Sequence, residues 1–160
     1  MSALRIGVVA DTHGLLRPEA LAFLEGCDRI LHAGDIGRPE VLDALRTLAP
    51  VTAIRGNVDT AAWASALPET VRIRLGDVDV LMLHDLKTLP GDPAAEGVRV
   101  VVSGHSHVPR CGMRDGVLHL NPGSAGPRRF RLPVAIGELR IDGARVAAGI
   151  VDLLDGRRIA

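Results

Sequence analysis

Residues 4–14 read LRIGVVADTHG, an apolar run that ends in polar residues. Apart from Arg5, the segment Leu4–Ala10 is apolar and rich in β-branched residues, which predicts a buried strand. Open α/β sheets place their chemistry at the carboxyl ends of strands, where Asp11 and His13 stand. Because side chains alternate along a strand, both can point the same way if the extended backbone continues. A turn or cap role for Asp11, with His13 in a loop, fits this motif equally well.

Two further strands repeat this pattern along the chain. They end before Asp35 and Asn57, so three successive β-α units place an acid or amide after a strand. Turn chemistry alone explains this regularity less well, although Asn and Asp are common turn residues. The elements predicted here are helices Arg17–Leu24 and Pro39–Leu48 and strands Arg29–Ala33 and Pro50–Arg55.

From Thr70 onward the pattern changes from β-α units to strands and hairpins. Val71–Leu75 alternates strictly, as a half-exposed strand does. Two of the later strands end at histidines, the first at His84 and the second at Gly104-His105-Ser106-His107. The other predicted elements are a short helix over Thr60–Leu67, strands Val78–Leu83 and Val98–Ser103, a loop over Leu89–Gly97, and hairpins Cys111–Arg114 with Val117–Leu120 and Val134–Ile141 with Ala144–Leu153.

The composition is that of a globular protein with an aliphatic core. The 160 residues predict one domain over 1–160, with 47% hydrophobic and 24% charged residues. Nineteen basic and nineteen acidic residues give no net charge, which argues against a protein that coats a polyanion. Cys27 and Cys111 lack disulfide-framework or CxxC spacing, and no leader or membrane span is recognisable. We expect a cytoplasmic protein with free thiols.

Seven polar side chains follow predicted strands, and they share a ligand chemistry. They offer carboxylate, amide and imidazole donors but no thiolate, a set that suits Mn²⁺, Fe or Zn²⁺. Seven donors exceed the needs of one tetrahedral ion but suit two ions about 3.5–4 Å apart that share a carboxylate. The seven residues are Asp11, His13, Asp35, Asn57, His84, His105 and His107.

Five short motifs, in this order, resemble those of the calcineurin-like metallophosphoesterases. They are Asp11-Thr12-His13, Gly34-Asp35, Gly56-Asn57, His84 and Gly104-His105-Ser106-His107. Each motif is weak by itself, but the ordered set is specific. The resemblance extends from residue 4 to about residue 124. The small size and Asn121-Pro122-Gly123-Ser124 are similar to the stand-alone YfcE-type phosphodiesterases of bacteria and archaea.

The resemblance implies a fold and a metal arrangement. The fold would be an α/β, four-layer α/β/β/α sandwich of two mixed sheets flanked by helices. Two divalent cations are implied, with Mn²⁺ expected and Fe, Zn²⁺ or Ni²⁺ as alternatives. Asp35 would bridge them. The first ion would be held by Asp11, His13, Asp35 and His107, and the second by Asp35, Asn57, His84 and His105.

The implied activity is hydrolysis of small phosphodiesters or activated aryl phosphate esters. A hydroxide shared by the two metals would attack phosphorus directly, without a covalent enzyme intermediate. Many enzymes of the superfamily have a His after the Gly-Asn pair, where this chain has Val58, so no catalytic side chain beyond the metal ligands is assigned. Aryl leaving groups should therefore react faster than alkoxides. The expected partner is a small phosphodiester, with no membrane and no nucleic acid; a homo-oligomer is left open.

Two other functions, a protein-binding scaffold and a nuclease, are alternatives to phosphoester hydrolysis. A retromer subunit resembles the family and serves as a protein-binding scaffold, but a scaffold is free to lose metal ligands, whereas all seven are present here. A nuclease would need a longer basic groove than this neutral chain predicts.

Several further residues were interpreted individually. Arg128 and Arg129 are candidates for binding a phosphate oxygen, although a solvated basic cluster is the default. Asp85 could orient an imidazole, add charge near the site, or face solvent, and we favour solvent. Asp59 is interpreted as a helix N-cap rather than a support of the site. The remaining interpretations are packing roles for His32 and Trp63 and a structural or exposed role for His119.

Overall fold

In a computed structural model that describes residues 3–160, ten strands form two five-stranded sheets. Met1 and Ser2, with which the predicted domain begins, lie outside the described residues, and the domain bounds 1–160 stay a prediction. The elements in chain order are β1 (Leu4–Val9), α1 (Pro18–Leu24), β2 (Arg29–His32), α2 (Pro39–Arg46), β3 (Val51–Ala53), β4 (Thr70–Leu75), β5 (Val78–Leu83), β6 (Val100–Val102), β7 (Arg110–Arg114), β8 (Val117–Asn121), β9 (Ala135–Asp142) and β10 (Arg145–Asp152).

Both sheets mix parallel and antiparallel pairs, as predicted. The first sheet has the order β10-β9-β1-β2-β3, in which β1, β2 and β3 are parallel. Strand β9 pairs antiparallel with β1, and β10 pairs antiparallel with β9. The second has the order β4-β5-β6-β8-β7, with β5, β6 and β8 parallel and an antiparallel strand at each edge. The three parallel strands of each sheet direct their carboxyl ends to one edge.

The two sheets pack face to face over a common aliphatic core. Val8 on β1 lies in this core with Val80 and Val102 of the second sheet. The next residue, Val9, lies in a separate cluster with Leu24 of α1 and residues of α2, because successive strand side chains point to opposite faces. The helices therefore cover the outer face of the first sheet.

Helix α1 lies directly on β1 because of one glycine. A Cβ atom at Gly7 would overlap the Leu24 side chain and stand 3.2 Å from Cys27 Sγ. The absence of a side chain lets the helix approach the sheet closely, which fixes where the chain re-enters the sheet at β2.

The outer layer on the second sheet is thinner than the predicted sandwich suggests. A 3₁₀ turn at Leu86–Thr88 and the loop behind it place Leu86 and Leu89 against Leu81 and Val101. The α/β/β/α fold is confirmed, but its fourth layer contains a single turn of helix in the described residues.

Several element predictions were too long: the helix predicted over Pro39–Leu48 ends at Arg46, the strand predicted over Pro50–Arg55 is Val51–Ala53, and the strand predicted over Val98–Ser103 is Val100–Val102. The predicted helix Thr60–Leu67 is a 3₁₀ turn over Ala62–Ala64, with Trp63 packed against the core as expected. Strand β2 ends at His32 because the following residues turn toward the site. No helix in residues 3–160 has the length and apolar composition that crossing a membrane requires.

Candidate metal centre

The polar residues that follow five strands converge at one edge of the sandwich. They follow β1, β2, β3, β5 and β6, so both sheets contribute. Two groups of three residues have ligand atoms within 4.8 Å of one another. The first group is Asp11, His13 and His107, and the second is Asp35, His84 and His105.

The first group places two imidazoles around a buried carboxylate. His13 Nε2 lies 3.2 Å from His107 Nε2, and His107 Nε2 lies 3.6 Å from Asp11 Oδ1. Asp11 Oδ1 is buried and has no hydrogen-bond partner among the described residues. A buried carboxylate oxygen without a donor is costly, and a bound cation would satisfy it.

The second group brings Asn57 into the site. His105 Nδ1 lies 3.1 Å from Asn57 Oδ1, and His84 Nε2 lies 3.2 Å from Asp35 Oδ2. Carboxylate and amide oxygens with imidazole nitrogens are donors that Mn²⁺, Fe and Zn²⁺ accept. The donor set therefore fits the divalent cations expected from the sequence.

Asp35 lies between the two groups. Its Oδ2 is 3.2 Å from His84 Nε2 in one group and 3.7 Å from His13 Nε2 in the other. His84 Nε2 is also 3.8 Å from Asp11 Oδ1. All seven residues singled out in the sequence are thus brought together, with one carboxylate shared between the two halves.

Five of the seven candidate ligands have left-handed backbone conformations. Such φ values are uncommon outside glycine, although Asp and His tolerate them better than most residues. The tight turns they produce aim consecutive polar side chains at the same point. The five φ values are 55° at Asp11, 47° at His13, 55° at Asp35, 71° at His105 and 61° at His107.

Glycines leave the space in which these turns meet. A Cβ at Gly56 would overlap both the side chain and the backbone nitrogen of Asp35. One at Gly34, where φ is 96°, would stand 2.7 Å from His84 Nδ1. The Gly-Asp and Gly-Asn motifs therefore combine a ligand with the residue that lets the ligands approach each other.

Asp59 joins the two loops that carry Asp35 and Asn57. Its Oδ2 accepts hydrogen bonds from the backbone of Gly56 at 2.8 Å and of Ile36 at 3.1 Å, and its Oδ1 accepts one from Gly37 at 3.0 Å. The N-cap interpretation was wrong, since the cap position of the 3₁₀ turn is Ala61. A carboxylate two residues after the Gly-Asn pair was the only sequence signal for this role.

His32 and Thr12 support the first loop from below. The Thr12 hydroxyl donates to Ile36 O at 2.9 Å and lies 3.0 Å from His32 Nε2, while the Gly34 N–H donates to His32 Nδ1. Thr12 must accept from an Nε2–H, so the imidazole is neutral. This confirms a packed histidine and adds hydrogen bonds that the sequence did not predict.

The last residue of β8 and the residues that follow it hold the remaining loops in place. Asn121 Nδ2 donates to Gly104 O at 2.9 Å and contacts Ser106 Oγ at 3.1 Å. The Ser124 hydroxyl donates to Asp11 O at 2.9 Å. The Asn-Pro-Gly-Ser stretch thus positions the Asp11 and His105 loops relative to each other.

Burial shifts the protonation of the first group. It raises the pKa of Asp11 to about 7, with the Asp35 carboxylate acting in the same direction and His84 opposing. Burial, together with the Arg129 guanidinium and His13, lowers the pKa of His107 to about 4. Burial likewise lowers the pKa of His13. Both imidazoles are therefore neutral at pH 7, the form that binds metal.

Asp35 and His84 stabilise each other in the opposite sense. Burial alone would raise the pKa of Asp35, but its contacts with His84 and the Val58 N–H outweigh this and lower it. Burial would lower the pKa of His84, but the Asp35 carboxylate and the Ala33 carbonyl, 2.7 Å from Nδ1, raise it. Asp35 is thus an anion at neutral pH.

Four other positions were singled out in the sequence. Val58 is 46% exposed at the site and donates its N–H to Asp35 Oδ1 at 3.0 Å. Asp85 caps the Leu86–Thr88 turn, and its side chain is 34% exposed, with Oδ2 3.9 Å from His105 Nε2, so it faces solvent in part and also lies beside a candidate ligand. Arg128 Nε donates to Leu132 O at 3.3 Å, in its own loop, whereas Arg129 acts electrostatically on Asp11, His13 and His107.

We expect His32 to make stability pH-dependent below neutrality. Burial lowers the pKa of His32 from 6.5 to about 4. Protonating Nδ1 would also break the hydrogen bond that it accepts from the Gly34 N–H. Between these two pH values the unfolded chain therefore binds one more proton than the folded chain. The contribution of neutral His32 to stability is complete above pH 6.5 and is lost as the pH falls toward 4.

Urea unfolding in a chelator should show this as a slope of up to about 1.4 kcal/mol per pH unit. His32→Gln lacks the titrating group, so its stability should vary less over the same range. Equal slopes for the two proteins would contradict the assignment, provided circular dichroism shows that the variant is folded at pH 7.5.

Comparisons with known proteins agree with this geometry. The profile of the Calcineurin-like phosphoesterase superfamily domain matches residues 4–142. A protein described as a probable metallophosphoesterase of Methanothermobacter thermautotrophicus is 36% identical, with 91% of each chain covered. Vps29 of Cryptosporidium parvum superposes with a TM-score of 0.84 at 21% identity, over 99% of this chain and 95% of that one. YfcE, a phosphoesterase from E. coli, superposes with a TM-score of 0.74 at 23% identity, over 98% and 97%.

The structural likenesses bear on the fold, and the sequence matches bear on the family. The matched profile spans most of the chain and includes all seven candidate ligands. The archaeal relative is similar along nearly its whole length. The chain belongs to the calcineurin-like phosphoesterase superfamily.

Proposed function

We propose that this protein hydrolyses small phosphodiesters and activated aryl phosphate esters with two divalent cations. The observation that carries the proposal is the position of Asp35 between two groups of ligand atoms. Family membership supports phosphoester hydrolysis, and the distances from Asp35 Oδ2 to His84 Nε2 (3.2 Å) and to His13 Nε2 (3.7 Å) support two adjacent metal positions.

The seven residues divide between two metal positions. One ion would be held by Asp11, His13, Asp35 and His107, and the other by Asp35, Asn57, His84 and His105. Mn²⁺ is the expected ion, with Fe, Zn²⁺ or Ni²⁺ as alternatives, because the donors are oxygens and imidazole nitrogens. Bound cations activate water at neutral pH and stabilise the charge that develops on the phosphate oxygens.

The side chains of the site prepare it for an anionic substrate. Neutral His13 and His107 present nitrogen lone pairs. The Asp11 and Asp35 carboxylates would offset only part of the charge of two divalent cations, which leaves the site positive toward an anionic substrate. Arg129 is close enough to depress the pKa of both histidines, which supports a role in holding a phosphate oxygen. Val58 has no proton to give to a departing alkoxide.

The scaffold alternative is disfavoured by the intact ligand set. Asp11 is fully buried and Asp59 is tied to three backbone N–H groups, so residues that only a charged site needs are present and supported. A small phosphodiester is the proposed partner. A cytoplasmic location is also proposed, and the unpaired thiols of Cys27 and Cys111 support it.

The rate should depend steeply on the leaving group, because Val58 cannot protonate it. Diesters with a common methyl group, which leaves poorly, and a series of phenol and alcohol leaving groups would be compared in the presence of Mn²⁺. We expect aryl esters to react much faster than alkyl esters, and Val58→His to narrow the difference. Equally fast hydrolysis of aryl and alkyl diesters would contradict the prediction that the site lacks a proton donor for the leaving group.

Asp35→Asn tests the shared carboxylate. The change keeps the shape but removes the charge that both metal positions share, so both should be weakened, by about tenfold or more. Metal content after dialysis and activity against bis(4-nitrophenyl) phosphate are the readouts. Asp43→Asn, on the exposed side of α2, is the matched control and should keep both. Full metal content and activity in Asp35→Asn would refute the bridging role.

Arg128 and Arg129 form their own matched pair. Arg129→Ala should raise KM for a diester and raise the pKa of His107, since the guanidinium lowers that pKa now. Arg128→Ala, which removes an exposed contact with Leu132 O, should change neither. Steady-state kinetics and NMR titration of the metal-free protein measure the two effects. Identical behaviour of the two variants would contradict a specific role for Arg129.

A further inference from the structure

A cavity of about 580 Å³ opens beside the candidate metal centre. It lies on the outer face of the second sheet, over β7 and β8, and reaches His105 at one end. Its volume is in the range of small-molecule sites, about 300–1,000 Å³. The charged and titratable residues that line it are Asp85, Lys87, His105, Arg110, Arg114 and His119.

The strand register explains why basic residues line this cavity. Gly112 on β7 pairs with His119 on β8, so Arg110, Arg114 and His119 share the face that points away from the core. The apolar cover formed by Leu86 and its loop extends from β5 and β6 to Val117 at the start of β8, and no residue of β7 belongs to it. A Cβ at Gly112 would meet nothing within 4 Å, so the sheet is open there.

The cations of the cavity are unneutralised. Within residues 3–160, no carboxylate lies within 4.0 Å of the side-chain nitrogens of Lys87, Arg110 or Arg114. The acidic lining residue, Asp85, stands at the metal end, beside His105. Burial and Arg114 lower the pKa of His119, so this imidazole is neutral at pH 7 and adds no charge.

The cavity and the candidate metal centre share a wall. His105 lines the cavity and also contacts Asn57 with its Nδ1, so a phosphodiester at the metals would place one substituent toward the basic residues. Asn121 fixes this wall by donating to Gly104 O and contacting Ser106 Oγ. Arg110 and Arg114 on β7 and Lys87 on the Leu86–Thr88 turn therefore line the same cavity as the candidate ligand His105.

We propose that this cavity is a substrate subsite for an alcohol substituent that carries a further phosphate group, bound by Lys87, Arg110 and Arg114. The substrate class is then a phosphodiester of a phosphorylated alcohol, such as a nucleoside phosphate. Guanidinium groups match phosphate oxygens with paired N–H donors, which favours phosphate over a single neutral hydroxyl. The proposal rests on the proposed function for its catalytic readout only.

The test compares two chromogenic substrates that differ by one phosphate. Thymidine 5′-(4-nitrophenyl phosphate) and its 3′-phosphorylated form would be hydrolysed by the Mn²⁺-loaded protein. The wild type should prefer the 3′-phosphorylated substrate by about tenfold in kcat/KM, the effect of one charge-assisted contact. Arg110→Gln/Arg114→Gln should lose this preference, so that its kcat/KM values for the two substrates become equal.

A matched control removes the same charge elsewhere. Arg145→Gln/Arg157→Gln alters two exposed arginines outside the cavity and should retain the preference. Arg110→Lys/Arg114→Lys should restore part of it, which separates charge from folding. A wild type without the preference, or a Gln double variant that retains it, overturns the proposal.

Binding gives a readout that does not need turnover. Calorimetry with metal-free protein in a chelator would compare thymidine 3′,5′-bisphosphate with thymidine 5′-monophosphate. The wild type should bind the bisphosphate more tightly, and the Gln double variant should bind both alike. If the Mn²⁺-loaded wild type hydrolyses neither ester, the proposed function fails, and the binding measurement alone tests the subsite. Equal affinity of the wild type and the Gln double variant for the bisphosphate would then overturn the subsite proposal.

Discussion

The carboxylate of Asp35 connects four segments of the chain at the edge where the two sheets meet. Its Oδ1 accepts the Val58 N–H at 3.0 Å, and its Oδ2 lies 3.2 Å from His84 Nε2. The backbone carbonyl of Asp35 accepts a hydrogen bond from the His13 N–H at 2.9 Å. Strands β1, β2, β3 and β5 must all be in register for these contacts to exist. The site is therefore a consequence of the sandwich closing, and cannot form in either sheet alone.

Holding that carboxylate in place requires unfavourable local conformations. Each left-handed non-glycine residue costs about 1–3 kcal/mol, and Asp11, Asp35 and His105 are among five such candidate ligands. Surrounding contacts offset this cost: Asp59 accepts two backbone hydrogen bonds from the Asp35 loop and one from the Asn57 loop, and Ser124 fixes the Asp11 loop. The aliphatic core beneath supplies the stability that lets the ligand positions stay preformed.

The sequence revealed the ligands because their positions follow a local rule. A polar residue after an apolar strand is visible in one dimension, and parallel strands bring such residues to one edge, so Asp11, Asp35 and His84 could be found. The role of Asp59 could not, since its partners Ile36 and Gly37 lie in another loop, and a cap is the local expectation for an Asp before a turn. Contacts between distant segments leave no periodic trace.

The order of the strands in the second sheet explains the cavity in the same way. His119 and Arg114 are near neighbours in sequence, but the β6-β8-β7 pairing is what sets His119 beside Val101 and places Arg114 on the edge strand, on the same face. A full helical layer would need apolar residues there, and Gly112 and Arg110 offer none. The half of the sheet nearest β5 is apolar and covered, while the other half is basic and open. Because the fourth layer covers only part of the second sheet, the uncovered part forms an open basic surface that ends at His105.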